Sequence, residues 1–314
     1  MSPAPGPAAA FQPAYLLLGP GELDERARIA GRHLERCDLC GRRCGVNRKQ
    51  SIRGAVCRTG ERARVHAAFA HFGEEACLTG WAGSGTIFFS WCNLRCVYCQ
   101  NWEISWCGAG REVGPDDLAA MMLALQRAGC HNVNLVSPSH VVAQVLAAVA
   151  VAARRGLRLP LVYNTGGYDS PEGLALLDGV VDVYMPDVKY GDSEVARRYS
   201  HVRDYVAVNR AAVREMHRQV GDLVVDGDGI ARRGLLVRHL VLPGGLSGTE
   251  EALRFIAEEI SPDTWLNLMG QYRPCFQAPE HPALARRPTG AELAAAAGAA
   301  RRLGLRRLDP GSVR

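Results

Sequence analysis

From residue 86 onward, apolar residues fall in short runs separated by longer stretches of helical periodicity. Residues 86–89, 132–136, 161–163, 181–185, 235–242 and 265–268 read as strands. The first, third and fourth are short and almost wholly apolar, as strands covered on both faces of a parallel sheet are. Between them, 115–128, 139–155, 171–177, 204–220 and 249–260 have helical length, and Ser170 before Pro171 is a start signal. Repeated βα units predict a parallel α/β architecture, open or partly closed into a barrel. Residues 224–237 break the pattern, because an Asp-Gly pair between apolar runs predicts a hairpin. Thr289 and Glu292 form a T-x-x-E capping box ahead of an Ala-rich terminal helix. Residues 22–36 read as a charged, solvated helix, and the Pro-, Ala- and Gly-rich start predicts disorder over 1–20.

Composition adds less than pattern until the cysteines are counted. The chain has 314 residues, 47% of them hydrophobic, which suits an ordinary globular protein of one large or two modest domains. With 37 Lys+Arg against 32 Asp+Glu, the net charge of +5 is too small for a dedicated nucleic-acid binder. No secretory signal is legible, and the longest apolar stretch, 141–153, is far short of the roughly 20 residues that span a bilayer. The expected location is the cytoplasm, with no membrane partner. Eleven cysteines in such a compartment point to metal ligation rather than disulfides.

Cys92, Cys96 and Cys99 form a C-x3-C-x2-C triplet just after the first predicted strand. Three thiolates this close can bind three irons of one [4Fe–4S] cube and leave the fourth iron open to a substrate or cofactor. Zinc would want a fourth ligand that the local sequence does not offer. With Tyr98 as the aromatic residue before Cys99, the segment resembles the signature of radical S-adenosylmethionine (SAM) enzymes, closest to pyruvate formate-lyase activating enzymes and their uncharacterised relatives. The resemblance covers most of 84–275. It implies an α/β fold, a partial (β/α)6 barrel, with the cluster at the C-terminal ends of the strands. It also implies that the open iron chelates SAM, that one electron cleaves the sulfonium to a 5′-deoxyadenosyl radical, and that a flavodoxin- or ferredoxin-type reductant supplies the electron.

Further residues carry over by position. Asp187 and Lys189 match an Asp-x-Lys that contacts the methionine part of SAM. Asn164, Thr165, Met185 and Asp187 match a monovalent-cation site, with Asn164 where activating enzymes typically have Asp, so that one charge is missing. Arg238 matches an Arg-bearing strand near SAM, and Gln271 ends the strand where the adenine is usually held. The family's Gly-Gly-Glu after the second strand is absent. Ser137, Ser139 or His140 would receive the SAM amino group in its place.

A second group, Cys37, Cys40, Cys44 and Cys57, supplies four soft ligands on glycine-bearing loop sequence, which fits tetrahedral zinc or a second iron–sulfur cluster. Activating enzymes with extra clusters carry them after the SAM motif, whereas this quartet precedes it. Its expected role is a structural staple for a small N-terminal cysteine-rich lobe, with electron relay as the alternative. The predicted organisation is therefore a lobe over 21–84, the barrel over 85–275 and a C-terminal helical extension over 276–314. Of the single cysteines, Cys130 reads as core. Cys275 follows the last barrel strand, where a thiol could give a hydrogen atom to a substrate radical or simply pack in its loop. Two activities share these residues: hydrogen abstraction from a small molecule or sugar, by epimerisation or other tailoring, and activation of a glycyl-radical partner protein. A non-catalytic iron–sulfur electron carrier is the third reading.

Overall fold

The computed structural model of the chain describes residues 11–313. A 3₁₀ turn (Ala14–Leu16) and helix α1 (Glu22–His33) precede strand β1 (Ala63–His71), helix α2 (Ala76–Thr79) and β2 (Ser84–Phe89). Next come α3 (Trp102–Ser105), β3 (Arg111–Val113), α4 (Pro115–Arg127), β4 (Val133–Val136), α5 (Val142–Arg154), β5 (Leu161–Thr165), α6 (Pro171–Leu177) and β6 (Val183–Pro186). The remainder is α7 (Ser193–Ser200), α8 (Tyr205–Val220), β7 (Val224–Val225), β8 (Ala231–Leu240), α9 (Thr249–Phe255), β9 (Trp265–Met269), α10 (Gly290–Arg302) and β10 (Arg307–Leu308). One mostly parallel, unclosed sheet runs β10-β9-β8-β6-β5-β4-β2-β1-β3, with β7 paired to β8 in the expected hairpin. This is a partial barrel of the α/β class.

Period-two alternation sorts the strand residues into two layers. Ile87, Leu135, Tyr163, Tyr184 and Leu235 sit side by side in register and are buried against the helices, with α4 on β2 and β4 and α8 on β6 and β8. Burial of side chains this size contributes about 1.5–3 kcal/mol each, so this layer is the main source of cohesion. The alternate residues face the barrel interior. Phe88, Val136, Asn164 and Met185 are in register near the C-terminal strand ends.

Helix α2 was not foreseen. Its Cys77 and Leu78 plug the barrel interior against Val162, Val183 and Leu236, and Leu78 O accepts Asn132 Nδ2 at 2.9 Å. The segment 72–79 thus crosses from β1 to β8 and β9, between the two ends of the parallel run.

Three boundaries change. Of the expected disorder over 1–20, residues 1–10 lie outside the described residues. Residues 11–20 instead dock on the barrel: Ala14 N donates to Asp182 Oδ1 at 2.8 Å and Tyr15 OH to Leu159 O at 3.0 Å. The two buried side chains Ala14 and Tyr15 supply the anchor that a composition count overlooks. Residues 21–84 do not make a separate lobe, because α1 packs on α5 and β1 pairs with β2. The tail 276–314 is not only helical, since β10 extends the sheet beside β9 while α10 keeps its Thr289–Glu292 capping box. Among the described residues, no helix is long and apolar enough to cross a membrane.

Candidate active site

A cavity of about 360 Å³ opens at the C-terminal ends of the strands. Cys92, Cys96 and Cys99 line it, and Ser137, Asn164, Thr165, Asp187, Lys189 and Arg238 are among the other residues of its wall. The volume lies at the low end of the range for small-molecule sites, about 300–1,000 Å³.

The cysteine loop leaves β2 through Trp91, whose φ of 67° turns the chain sharply into Cys92. Each sulfur then has its own polar neighbour. Leu94 N donates to Cys92 Sγ at 3.4 Å, Cys96 Sγ lies 3.0 Å from Ser200 Oγ, and Cys99 Sγ lies 3.1 Å from Ser105 Oγ. Burial pushes the Cys92 thiol up to about 11 and raises Cys96 and Cys99, so loading iron must displace their protons. Among the described residues, no three Cys, His, Asp or Glu side chains stand in single-ion geometry. A [4Fe–4S] cube makes a different demand: each thiolate binds its own iron, so the three sulfurs need only face one chamber. The soft donor set and the shared cavity fit that group.

In the same cavity, Lys189 Nζ pairs with Asp187 Oδ2. Burial alone would lower the Lys189 ammonium, but the Asp187 carboxylate and the Cys96 thiolate outweigh it and hold it above its ordinary value. The floor is built by close approach. Gly167, at φ 72°, lies where a Cβ would come within 2.3 Å of Asp187 O, and Tyr205 OH and Asn209 Nδ2 both donate to that same carbonyl. Ser137 takes the left-handed conformation, with φ 58°, and its N donates to Asn164 O at 2.8 Å. This is an uncommon geometry for a side-chain-bearing residue.

Arg238 reaches the cavity already committed. Its Nε donates to Glu75 Oε1 at 2.7 Å, its guanidinium also pairs with Glu74, and Asn267 Nδ2 donates to Glu75 Oε1 at 2.7 Å. These two glutamates were missed. The available signal was an arginine on an apolar strand, which requires a counter-charge from somewhere else in the chain.

Five expected site residues lie elsewhere. Ser139 is buried and bonded to Thr165 Oγ1 at 2.8 Å, in a cluster where Thr165 also donates to Asp169 at 2.7 Å. His140 is buried, its Nε2 donates to Ser90 O at 3.0 Å, and burial together with Arg48 pushes its pKa down to about 3. Of the three substitutes for Gly-Gly-Glu, only Ser137 meets the cavity. Tyr98 turns away beneath the loop, to Tyr190 OH at 2.6 Å. Gln271 is exposed two residues past the end of β9, and the following Tyr272 is buried in its place. Cys275 is also displaced: its thiol donates to Tyr98 O at 3.3 Å, and the adjoining Gln277 N bonds Val97 O, so this segment braces the cysteine loop from behind. Cys275→Ala is therefore expected to leave 5′-deoxyadenosine formation within about twofold of the parent. Loss of cleavage or of substrate turnover in that variant would restore a catalytic thiol.

Arg48 lies beside the quartet, its Nη1 3.5 Å from Cys37 Sγ; Cys37, Cys40 and Cys57 are buried and Cys44 is half-buried. The quartet abuts the loop of Cys92, Cys96 and Cys99, with Arg42 Nε donating to Asn93 O at 2.7 Å and Arg95 Nη2 to Val56 O at 2.9 Å.

A partial parallel barrel that carries three loop cysteines at its C-terminal face defines the class. Residues 86–230 match the Radical SAM superfamily. Over 284 residues the chain is 34% identical to the uncharacterized protein MJ0674 of Methanocaldococcus jannaschii, an alignment that spans 87% of this chain and 77% of that one. The chain belongs to the radical SAM superfamily and is a radical SAM enzyme. Two solved structures are similar at low identity. Streptococcus suis SuiB bound to precursor peptide SuiA has a TM-score of 0.45 and 11% identity, over 66% of this chain and 42% of that one. Native anSMEcpe with bound AdoMet and Cp18Cys peptide has a TM-score of 0.43 and 10% identity, over 65% and 54%. The chain thus spans about half the length of these two.

Proposed function

We propose that Cys92, Cys96 and Cys99 hold a [4Fe–4S] cluster beside SAM and that the chain directs the resulting radical at a small molecule. The observation behind this reading is the single cavity that the three thiols share with Asp187, Lys189, Ser137 and Asn164. The cluster and SAM, when bound, supply one-electron cleavage to the 5′-deoxyadenosyl radical. The chain's own residues do the rest. Lys189 offers its ammonium to the SAM carboxylate while Asp187 holds it in place, and Ser137 and Asn164 present hydroxyl and amide groups to the amino end. The Asn164 side chain makes no hydrogen bond to another described residue, which leaves both its amide groups available.

The small-molecule reading rests on access. Segment 72–79, tied to Arg238 and Asn267 through Glu74 and Glu75, crosses the gap through which a partner protein's loop would enter. Cys37, Cys40, Cys44 and Cys57 are proposed to hold a second centre, and because no three of them stand in single-ion geometry, an iron–sulfur cluster suits them better than zinc, which would need the thiols to close in. The test of the main reading is anaerobic incubation of the reconstituted, reduced chain with SAM. Methionine and 5′-deoxyadenosine are expected without any partner protein. No cleavage would overturn the proposal, and cleavage that requires a glycyl-radical partner would favour activation over small-molecule chemistry.

A further inference from the structure

Two of the three catalytic sulfurs meet serine hydroxyls, and one of those serines ends a buried chain of hydroxyl groups. Ser200 closes α7 and has no exposed surface. Its Oγ lies 3.0 Å from Cys96 Sγ and 2.7 Å from Tyr190 OH, which in turn lies 2.6 Å from Tyr98 OH. Ser105, at the end of α3, stands 3.1 Å from Cys99 Sγ. Both tyrosines are buried, and among the described residues the phenol of Tyr98 has no other hydrogen-bond partner.

A free thiol leaves the direction of this chain open, since either atom of each pair can donate. A cluster-bound sulfur has no proton and can only accept. Ser200 must then give its single proton to Cys96 Sγ. Its lone pair accepts from Tyr190, and Tyr190 accepts from Tyr98. Metal loading therefore aligns three hydroxyl dipoles toward one sulfur, each polarising the next. Ser105 makes the equivalent donation to Cys99.

We infer that Ser200, backed by Tyr190 and Tyr98, and Ser105 raise the reduction potential of the cluster by hydrogen-bond donation to its thiolates. The inference rests on the assignment of the cluster to Cys92, Cys96 and Cys99. Adding an electron increases the negative charge on the cluster and its sulfurs, so a donor to sulfur stabilises the reduced form more than the oxidised one. These residues are positioning residues. They touch the ligand sulfurs rather than SAM, and their effect is on the ease with which the reductant loads the electron.

The test is a redox titration of the anaerobically reconstituted full chain. It follows the component of the reduced-cluster EPR signal that changes when SAM is added, which marks the cluster with the open iron. Ser200→Ala is expected to shift the oxidised-to-reduced ratio at a fixed potential about tenfold toward oxidised. Tyr190→Phe should shift it the same way but less, and Ser200→Thr, which keeps the hydroxyl, should stay near the parent. The backbone carbonyl of Ser200, which accepts Arg95 N at 3.2 Å, is untouched by these changes. Ser105→Ala is an independent second variant, expected to shift in the same direction. A SAM-responsive signal whose midpoint is unchanged in both alanine variants overturns the inference and leaves the cluster assignment standing. Absence of any SAM-responsive signal in the parent chain overturns the assignment itself.

Discussion

Replacing Cys96 by alanine is expected to bring 5′-deoxyadenosine formation to background while leaving the metal-free chain within about 1 kcal/mol of the parent in urea unfolding. The two effects separate because of where Cys96 sits. Its small side chain is half-buried on the cavity wall at the margin of a core cluster, so its loss removes one sulfur from packing, yet in the proposed site it is one of three sulfurs, each needed for its own iron. A cube held by two cysteines loses an anchor and gains a second open iron, so the geometry that presents one open iron to SAM is gone. Cys130→Ala is the natural control. That thiol is 2% exposed in the main core, and its loss should cost about 1 kcal/mol of stability without affecting cleavage. Metal that remains after Cys92, Cys96 and Cys99 are all replaced belongs to Cys37, Cys40, Cys44 and Cys57. Iron with sulfide would mean a second cluster there, and one zinc per chain a structural site.

The parts of the fold that were legible in the sequence share a physical origin. β2, β5 and β6 were legible as short apolar runs because both their faces are covered, and α6 was bounded to the residue because Ser170 caps it and accepts from Gly173 N at 3.1 Å. The hairpin at β7 and β8 followed from Asp-Gly. What stayed hidden depends on contacts far apart in sequence. β1 carries His66, Phe69 and His71 in a pattern that suggests no buried face, and it becomes a strand only because β2 offers an edge. α2 and α3 have four residues each, too few for periodicity to register. The same division runs through the site. The thiols, Asp187, Lys189 and Arg238 were readable as chemical types at motif spacing. Tyr98, Gln271 and Cys275 were expected at the site from their places in the chain, but which way a side chain turns near a strand end is decided by packing. The hydroxyls of Ser105 and Ser200 left no sequence signal, because neither residue type nor spacing sets them apart from any other helix-end serine.

Arg238→Leu is expected to destabilise the chain by about 3–5 kcal/mol at neutral pH, because it leaves two carboxylates buried without their cation. The side chains of Glu74 and Glu75 are 8% and 1% exposed, so water cannot take over the role of the guanidinium. The pH dependence distinguishes this cause from simple loss of packing. In the parent chain, burial works to raise the Glu75 pKa, but the charge and hydrogen bonds of Arg238, with help from Asn267, outweigh it and hold the carboxyl below its ordinary value. A depressed folded-state pKa contributes stability that is present above the ordinary glutamate range and lost as pH falls through the folded value. Without Arg238 burial is opposed only by the Asn267 and backbone hydrogen bonds, so the pKa rises and protonation relieves the variant as the pH falls. The gap between variant and parent, read from urea unfolding across pH, should therefore be widest near neutrality and narrow on acidification. A gap independent of pH would show that Arg238 acts through packing alone. Adding Glu75→Gln to Arg238→Leu should recover part of the loss at neutral pH, because it removes one of the stranded charges, although the same glutamine change alone is expected to destabilise. That reversal of sign between the two backgrounds is what a charge pair inside the barrel requires, and two independent packing defects would only add.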